Sequence, residues 1–311
     1  MRTENFTFLS TDKKTNIHAV KWIPDSGEYH AILQITHGMI EYIERYAQFA
    51  EFLTEQGYMV VGHDHLGHGQ SVATQEDWGY VGRPKPSDLL VEDMHKLRTL
   101  IQGENAEVPY FMLAHSMGSY MLRKYLTIHP EQLKGAIIMG TGMVPDSTTR
   151  IGMFTVKFLS IFRGWHYRSK FVADAAFGKP YRRYDLTGKT LSNSWLTKDE
   201  DIVKSYYSDP RCTFRFTING YQALFEAVLY DGQLENAAKI PKDLPLFIVS
   251  GEDDPVGDLG VGVKKVYDLY KNAGIEDITY RLYEKDRHEI LNELDKKTVY
   301  ADILSWMNIR M

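Results

Sequence analysis

Five consecutive residues, Ala114-His115-Ser116-Met117-Gly118, stand between an apolar run that reads as a strand, Tyr110–Ala114, and a helical pattern, Met117–Ile128. A serine on such a turn, with a small residue two positions to either side, has the pattern of a nucleophile elbow. The small residues are needed because strand and helix crowd together there. The start of the helix then aims backbone N–H groups and the positive dipole end at a developing oxyanion. A serine at a helix start also caps helices in many proteins. The strand–turn–helix setting is what favours the nucleophile.

A serine hydroxyl is a weak nucleophile without a base. In a sheet of this kind the partners follow in chain order, Ser, then Asp or Glu, then His. They belong in loops at the carboxyl edge of the sheet, where open α/β sheets bind ligands. After the apolar strand Leu246–Ser250 come four acids, Glu252, Asp253, Asp254 and Asp258. Asp254 is favoured because Pro255 holds its backbone extended. After the strand Ile278–Tyr283 comes His288, the only histidine downstream of His166. In this arrangement His288 accepts the Ser116 proton, and Asp254 fixes the imidazole tautomer and stabilises the imidazolium. Two backbone donors complete an oxyanion hole: the N–H of Met117 and that of Met39, in the His37-Gly38-Met39 loop after the strand ending at Thr36.

Other residues of chemical interest carry less. The run His63-Asp64-His65-Leu66-Gly67-His68 is dense in metal-type ligands, but its spacing matches no zinc pattern. Gly67–Ser71 lacks both the phosphate-cradling glycine pattern and the lysine of a P-loop. His115 is expected to pack under the elbow, pointing away from the serine. Cys212 reads as a buried thiol.

Several elements must hold these residues in place. Glu4–Ser10 and Ile17–Ile23 read as an antiparallel pair of strands. From His30 to Gly140, short apolar strands alternate with helical patterns at Tyr42–Gln56, Leu89–Ile101 and Met117–Ile128. This rhythm implies βαβ units and a mostly parallel sheet. It stops after Pro145. Ile151–Phe162, Ser192–Tyr207 and Phe214–Tyr230 read as aromatic-rich helices with no buried strand between them. The alternation resumes at Leu246, with helices at Val261–Asn272 and Thr298–Met307. The expected organisation is an α/β core of residues 1–145 and 239–311, with residues 146–238 inserted as a helical cap.

Composition fits an ordinary soluble globular protein. The chain has 311 residues, 43% hydrophobic and 25% charged, with a net charge of −5. No basic excess points to nucleic acid. The single cysteine excludes a disulfide framework within the chain. The longest uncharged run, Val108–Leu122, is too short to cross a bilayer. Met1–Asp12 has no apolar segment of signal-peptide type. A cytoplasmic location is expected.

Taken together, these motifs resemble the α/β-hydrolase superfamily, and within it the monoacylglycerol lipase and lysophospholipase group (serine aminopeptidase S33-like, Hydrolase_4 type). The resemblance is carried by His37-Gly38-Met39-x-Glu41 through Arg45-Tyr46, Asp64 through Ser71, Ala114–Gly118, Gly251-x-x-Asp254-Pro255-Val256 and Arg287-His288-Glu289. Two positions depart from it: Ala114 for the usual Gly, and Leu66 where Arg is common. It implies an α/β-hydrolase fold, with an eight-stranded, mostly parallel sheet flanked by helices and a helical cap after the sixth strand. It also implies Ser116, Asp254 and His288 as triad, the Met39 and Met117 amides as oxyanion hole, and His63–Ser71 as a structural loop.

The activity expected is hydrolysis of lipid-type esters, such as monoacylglycerols or lysophospholipids, through an acyl-enzyme. It needs no metal or organic cofactor. The partner is a small acyl ester, with no stable membrane anchor and at most transient lipid contact through an apolar cap. The alternatives are an amidase, aminopeptidase or small-ester esterase on the same fold, and a non-catalytic binding protein.

Overall fold

The short apolar runs become the inner strands of one sheet. The computed structural model describes residues 1–311. The strands are β1 (Arg2–Leu9), β2 (Asn16–Ile23), β3 (Ala31–Thr36), β4 (Tyr58–His63), β5 (Tyr110–His115), β6 (Leu133–Met139), β7 (Leu246–Gly251) and β8 (Ile278–Tyr283). They lie in the order β1-β2-β4-β3-β5-β6-β7-β8. Only the β1–β2 and β2–β4 pairs are antiparallel. β3, β4, β5 and β7 are buried at every position. A parallel sheet covered on both faces requires this, and it explains why these strands read as continuous apolar runs.

The helices are α1 (Ala47–Glu55), α2 (Pro86–Glu104), α3 (Met117–Tyr125), α4 (Asp146–Arg163), α5 (Lys170–Ala176), α6 (Glu200–Ser208), α7 (Ile218–Asp231), α8 (Leu234–Ala237), α9 (Val261–Asn272) and α10 (Lys296–Asn308). On one face α1 and α10 pack Phe49, Leu53, Ile303 and Trp306 against Leu33, Phe111 and Phe247. On the other, α2, α3 and α9 pack Leu90, Met94, Met121, Leu122 and Val266 against Ile32, Met112 and Ile248. The two faces thus have separate cores, divided by the alternation of side chains along each strand.

The eight-stranded, mostly parallel sheet with helices on both faces is the α/β-hydrolase fold. α4 to α8 lie between β6 and β7. α7 is tied to the core side: Ser87 of α2 donates to Glu226, Asn219 Oδ1 accepts from the Val81 and Gly82 amides, and Thr127 pairs with Tyr230.

Four helical expectations are shortened: Tyr42–Gln56 is α-helical only over Ala47–Glu55, Met117–Ile128 ends at Tyr125, and two helices of the segment after β6 start late. Ser192–Tyr207 is helical in the α sense only from Glu200. Before it, the chain runs alongside the loop after β8, with His288 N–H donating to Trp195 O and Glu289 N–H to Leu196 O. Thr197 and Lys198 bond to Asn292 O and the Glu293 carboxylate, and Asp199 caps α6. These backbone partners outweigh the aromatic spacing. Phe214–Tyr230 likewise becomes helical at Ile218, after the Thr217 cap. Phe214 and Phe216 turn instead onto His68. No helix is long and apolar enough to cross a membrane.

Candidate active site

Ser116 joins β5 directly to α3 with φ 53° and ψ −121°. An L-residue pays of order 1–3 kcal/mol for such a conformation, so it persists only where its surroundings enforce it. They do so here. The Ser116 N–H donates to Met139 O at 3.0 Å, and the Ser119 hydroxyl and amide both donate to Ser116 O. A Cβ on Gly118 would stand 2.5 Å from His37 O and 2.7 Å from Thr36 O. The small residue after the serine is therefore a packing requirement between α3 and β3. Ala114 is fully buried, so the methyl that replaces the usual glycine is accommodated.

Gly38 is held as tightly. A Cβ there would lie 2.8 Å from the Ser116 Cβ and 2.6 Å from Glu41 Oε1. This close approach brings the Gly38-Met39 backbone up to the serine. The Met39 and Met117 amides have no acceptor within the protein, as expected for a first-turn amide of a helix in the case of Met117.

Asp254 and His288 meet. His288 Nδ1 lies 3.0 Å from each Asp254 oxygen. Asp254 is fully buried and also accepts from the Val256 N–H at 2.8 Å and the Ser250 hydroxyl at 2.9 Å. Burial pushes its carboxyl up, but the His288 charge and these hydrogen bonds outweigh burial and hold it below the ordinary value. Of the other acids in that turn, Glu252 and Asp258 are exposed, and Asp253 faces Arg183 at the surface. His288 is 2% exposed, with the Trp195 ring stacked on it at 5.0 Å. Ser116 and His288 both lie at the end of β6, without a hydrogen bond between the hydroxyl and the ring: Met139 O takes the Ser116 N–H, and a Cβ on the next residue, Gly140, would lie 3.2 Å from His288 Cε1.

His63, His65 and His68 are buried against Phe8, His37 and Phe216. Asp64 braces the loop by accepting from the Ile43 and Gln70 amides and from His18. His18, Glu44 and Asp64 bring ligand-type atoms within 4.8 Å of one another, yet both Asp64 oxygens already serve this bracing.

The sequence did not reveal what lies beneath the serine. Glu41 Oε1 accepts from the Gly38 N–H at 2.6 Å, from Tyr46 and from His115 Nδ1. Arg45 forks between Glu41 and Glu289. The motif Gly38-x-x-Glu41 was the available signal, because a carboxylate three residues on can reach back to that amide.

A serine on a strained elbow, a buried acid–imidazole pair and two free amides on an α/β-hydrolase sheet form the arrangement found in nucleophile-elbow hydrolases. The match to the family described as serine aminopeptidase, S33 (Hydrolase_4), spans residues 27–295, and the chain belongs to that family. The chain is 25% identical over 297 residues to a monoglyceride lipase of Rattus norvegicus, covering 93% of this chain and 86% of that protein. It is 24% identical to a monoacylglycerol lipase of Mycolicibacterium smegmatis, covering 92% and 90%. Among solved structures, a thermostable carboxyl esterase from Bacillus coagulans superposes with a TM-score of 0.89 at 29% identity, covering 99% of this chain and 98% of that one.

Proposed function

We propose that this protein is a serine hydrolase of lipid-type carboxylic esters, monoacylglycerols or lysophospholipids, with Ser116 as nucleophile, His288 as base and Asp254 as its orienting acid. The observation that carries the reading is the buried Asp254–His288 pair beside a serine held at φ 53°. Ser116 attacks the ester carbonyl while His288 Nε2 takes its proton. The Met39 and Met117 amides receive the oxyanion. His288 returns the proton to the leaving alcohol, then activates water to release the acid. No step calls for a metal or organic cofactor.

The ester and lipid parts of the reading rest on the relatives named above and on the exposed apolar face of α4, in the segment between β6 and β7. That segment, residues 146–238, acts as the cap over the core of residues 1–145 and 239–311, with α7 anchoring it to α2. On α4, Ile151, Phe154, Phe158, Ile161 and Phe162 are all exposed, Phe154 and Phe162 at 71% each. Such a face suits transient contact with a lipid surface. The single buried Cys212 fits a cytoplasmic setting. An aminopeptidase would need spare carboxylates beside the serine for a free amino terminus. Glu41 and Asp254 are both fully engaged, which favours the ester.

The test is hydrolysis of glycerol monoesters across a chain-length series, with Ser116→Ala as the blank. A maximum at medium or long chains that vanishes in the variant supports the reading. A strict preference for acetyl esters, or turnover only on amides, overturns its lipid part.

A further inference from the structure

His115, next to the nucleophile, is used by no step above, and its surroundings constrain its charge. It is 4% exposed. Its Nδ1 lies 3.1 Å from Glu41 Oε1, and its Nε2 lies 3.1 Å from the carbonyl oxygen of His288. Both partners are acceptors. A neutral imidazole has one N–H and one bare nitrogen, so one contact would set lone pair against lone pair.

The shared proton could sit on Glu41 only if that carboxylate had an oxygen to spare. It does not. Oε1 already accepts from the Gly38 amide and the Tyr46 hydroxyl, and Oε2 accepts from Arg45. Charge counting agrees. Glu41 and Glu289 share the single guanidinium of Arg45, so a second buried cation is needed for neutrality, and His115 is the group in place.

We propose that His115 is a positioning residue, held as an imidazolium, that clamps the oxyanion loop to the backbone of the catalytic histidine. The clamp runs from the Gly38 amide through Glu41 and His115 to His288 O. It ties together two loops far apart in sequence, the one that presents the Met39 N–H and the one that presents the His288 ring. The groups around His115 and its partners are Glu41, Arg45 and Tyr46 before α1, and Glu289, Asn292 and His288 after β8, the His288 ring 4.5 Å from that of His115. Their balance favours the cation. Burial alone would lower the His115 pKa, but Glu41 first and Glu289 next outweigh it, so the value is raised.

The inference rests on the proposed function for its purpose, but not for its charge. The test begins with nitrogen-15 NMR of the histidine-labelled wild-type chain at pH 8, where exposed histidines are neutral. The expected result is an imidazolium with protons on both ring nitrogens, absent in His115→Gln and still present in His18→Asn. It should become a neutral ring in Glu41→Gln, because the balancing charge is gone. His115→Gln should lower kcat on the order of 100-fold with KM little changed, as expected for loss of reactive geometry. A wild-type His115 signal with one bare nitrogen overturns the proposal, as does a folded His115→Gln variant with wild-type kcat. If His115→Gln does not fold, the Glu41→Gln spectrum decides: an unaltered imidazolium there contradicts the charge argument. Wild-type turnover in Ser116→Ala would overturn the proposed function instead, leaving the NMR result to stand or fall separately.

Discussion

At the scale of single residues, the site is built by close approach more than by hydrogen bonds. Gly38 shows this best. Its missing side chain lets the oxyanion loop touch the Cβ of Ser116 while Glu41 grips its amide. Gly38→Ala must displace either the serine or the carboxylate, neither of which has room to move. The expected outcome is a folded protein with kcat reduced on the order of 100-fold, checked by steady-state kinetics beside a thermal melt. Wild-type kcat would show that this backbone takes no part. Ser116, Asp254 and His288 were legible in the sequence because each stands just after a short apolar strand, and chain order left one histidine downstream of the acids. The group beneath them was not. Arg45 and Glu289 are 244 positions apart, and no local pattern joins them. His115 was expected to pack under the elbow, which it does. Its two acceptors could not be foreseen, because one of them is a backbone oxygen.

At the scale of elements, apolar periodicity was a good guide wherever an element packs on the sheet. Val263, Val266 and Tyr270 on α9 are buried as their spacing predicts. It was a poor guide in the segment after β6, where aromatic residues serve other surfaces. Trp195 fits a helical stripe, yet its backbone pairs with the loop of His288 and its ring stacks on that imidazole. Arg287 reinforces the pairing by donating to the carbonyls of Ser192, Ser194 and Thr197. This part of the segment cannot swing away without disturbing the histidine. Any movement on substrate entry is therefore expected at α4, whose outer face meets only solvent. Replacing Phe154, Phe158 and Phe162 together by Ser should reduce turnover of long-chain monoesters presented in vesicles several-fold. Turnover of a short, freely dissolved ester should stay within about twofold, since the three rings are more than half exposed and pack on one another along α4. Equal losses on both substrates would place these residues in the acyl pocket instead of at a lipid surface.

At the scale of the whole molecule, the buried histidines set the response to acid. Burial pushes His63 and His68 down to about 3 and holds His65 well below the ordinary value, with the nearby His37 adding to the effect. For groups whose folded pKa lies below the unfolded value, stability is full above about pH 6.5 and is lost as pH falls toward the folded pKa. By pH 5 each such histidine forfeits about 2 kcal/mol. Asp231 and Asp286 act in the opposite sense, because burial raises them to about 7 and about 6, so they take up protons in the folded state and offset part of the loss. His18, His115 and Asp93, all raised, act in the same sense as those two acids. Below about pH 4.5, Glu41, Glu289 and Asp254, all held low, join the histidines. The Tm should therefore drop most steeply below pH 4.5, where the lowered carboxylates add to the histidines. His63→Phe, which replaces two unpaired ring nitrogens beside Phe8, should gain Tm relative to the wild type as pH falls from 7 to 5. A Tm difference between variant and wild type that is the same at pH 7 and pH 5 would contradict this account.

The claim on which the rest depends is that Ser116 is the nucleophile and that His288 activates it. The most direct measurement is mass spectrometry of the chain after reaction with a fluorophosphonate. Digestion should find the phosphonyl group on Ser116 and nowhere else, with labelling slowed by orders of magnitude in His288→Ala. A wild-type chain that stays unlabelled, or carries the adduct on another residue, would contradict the account at its centre.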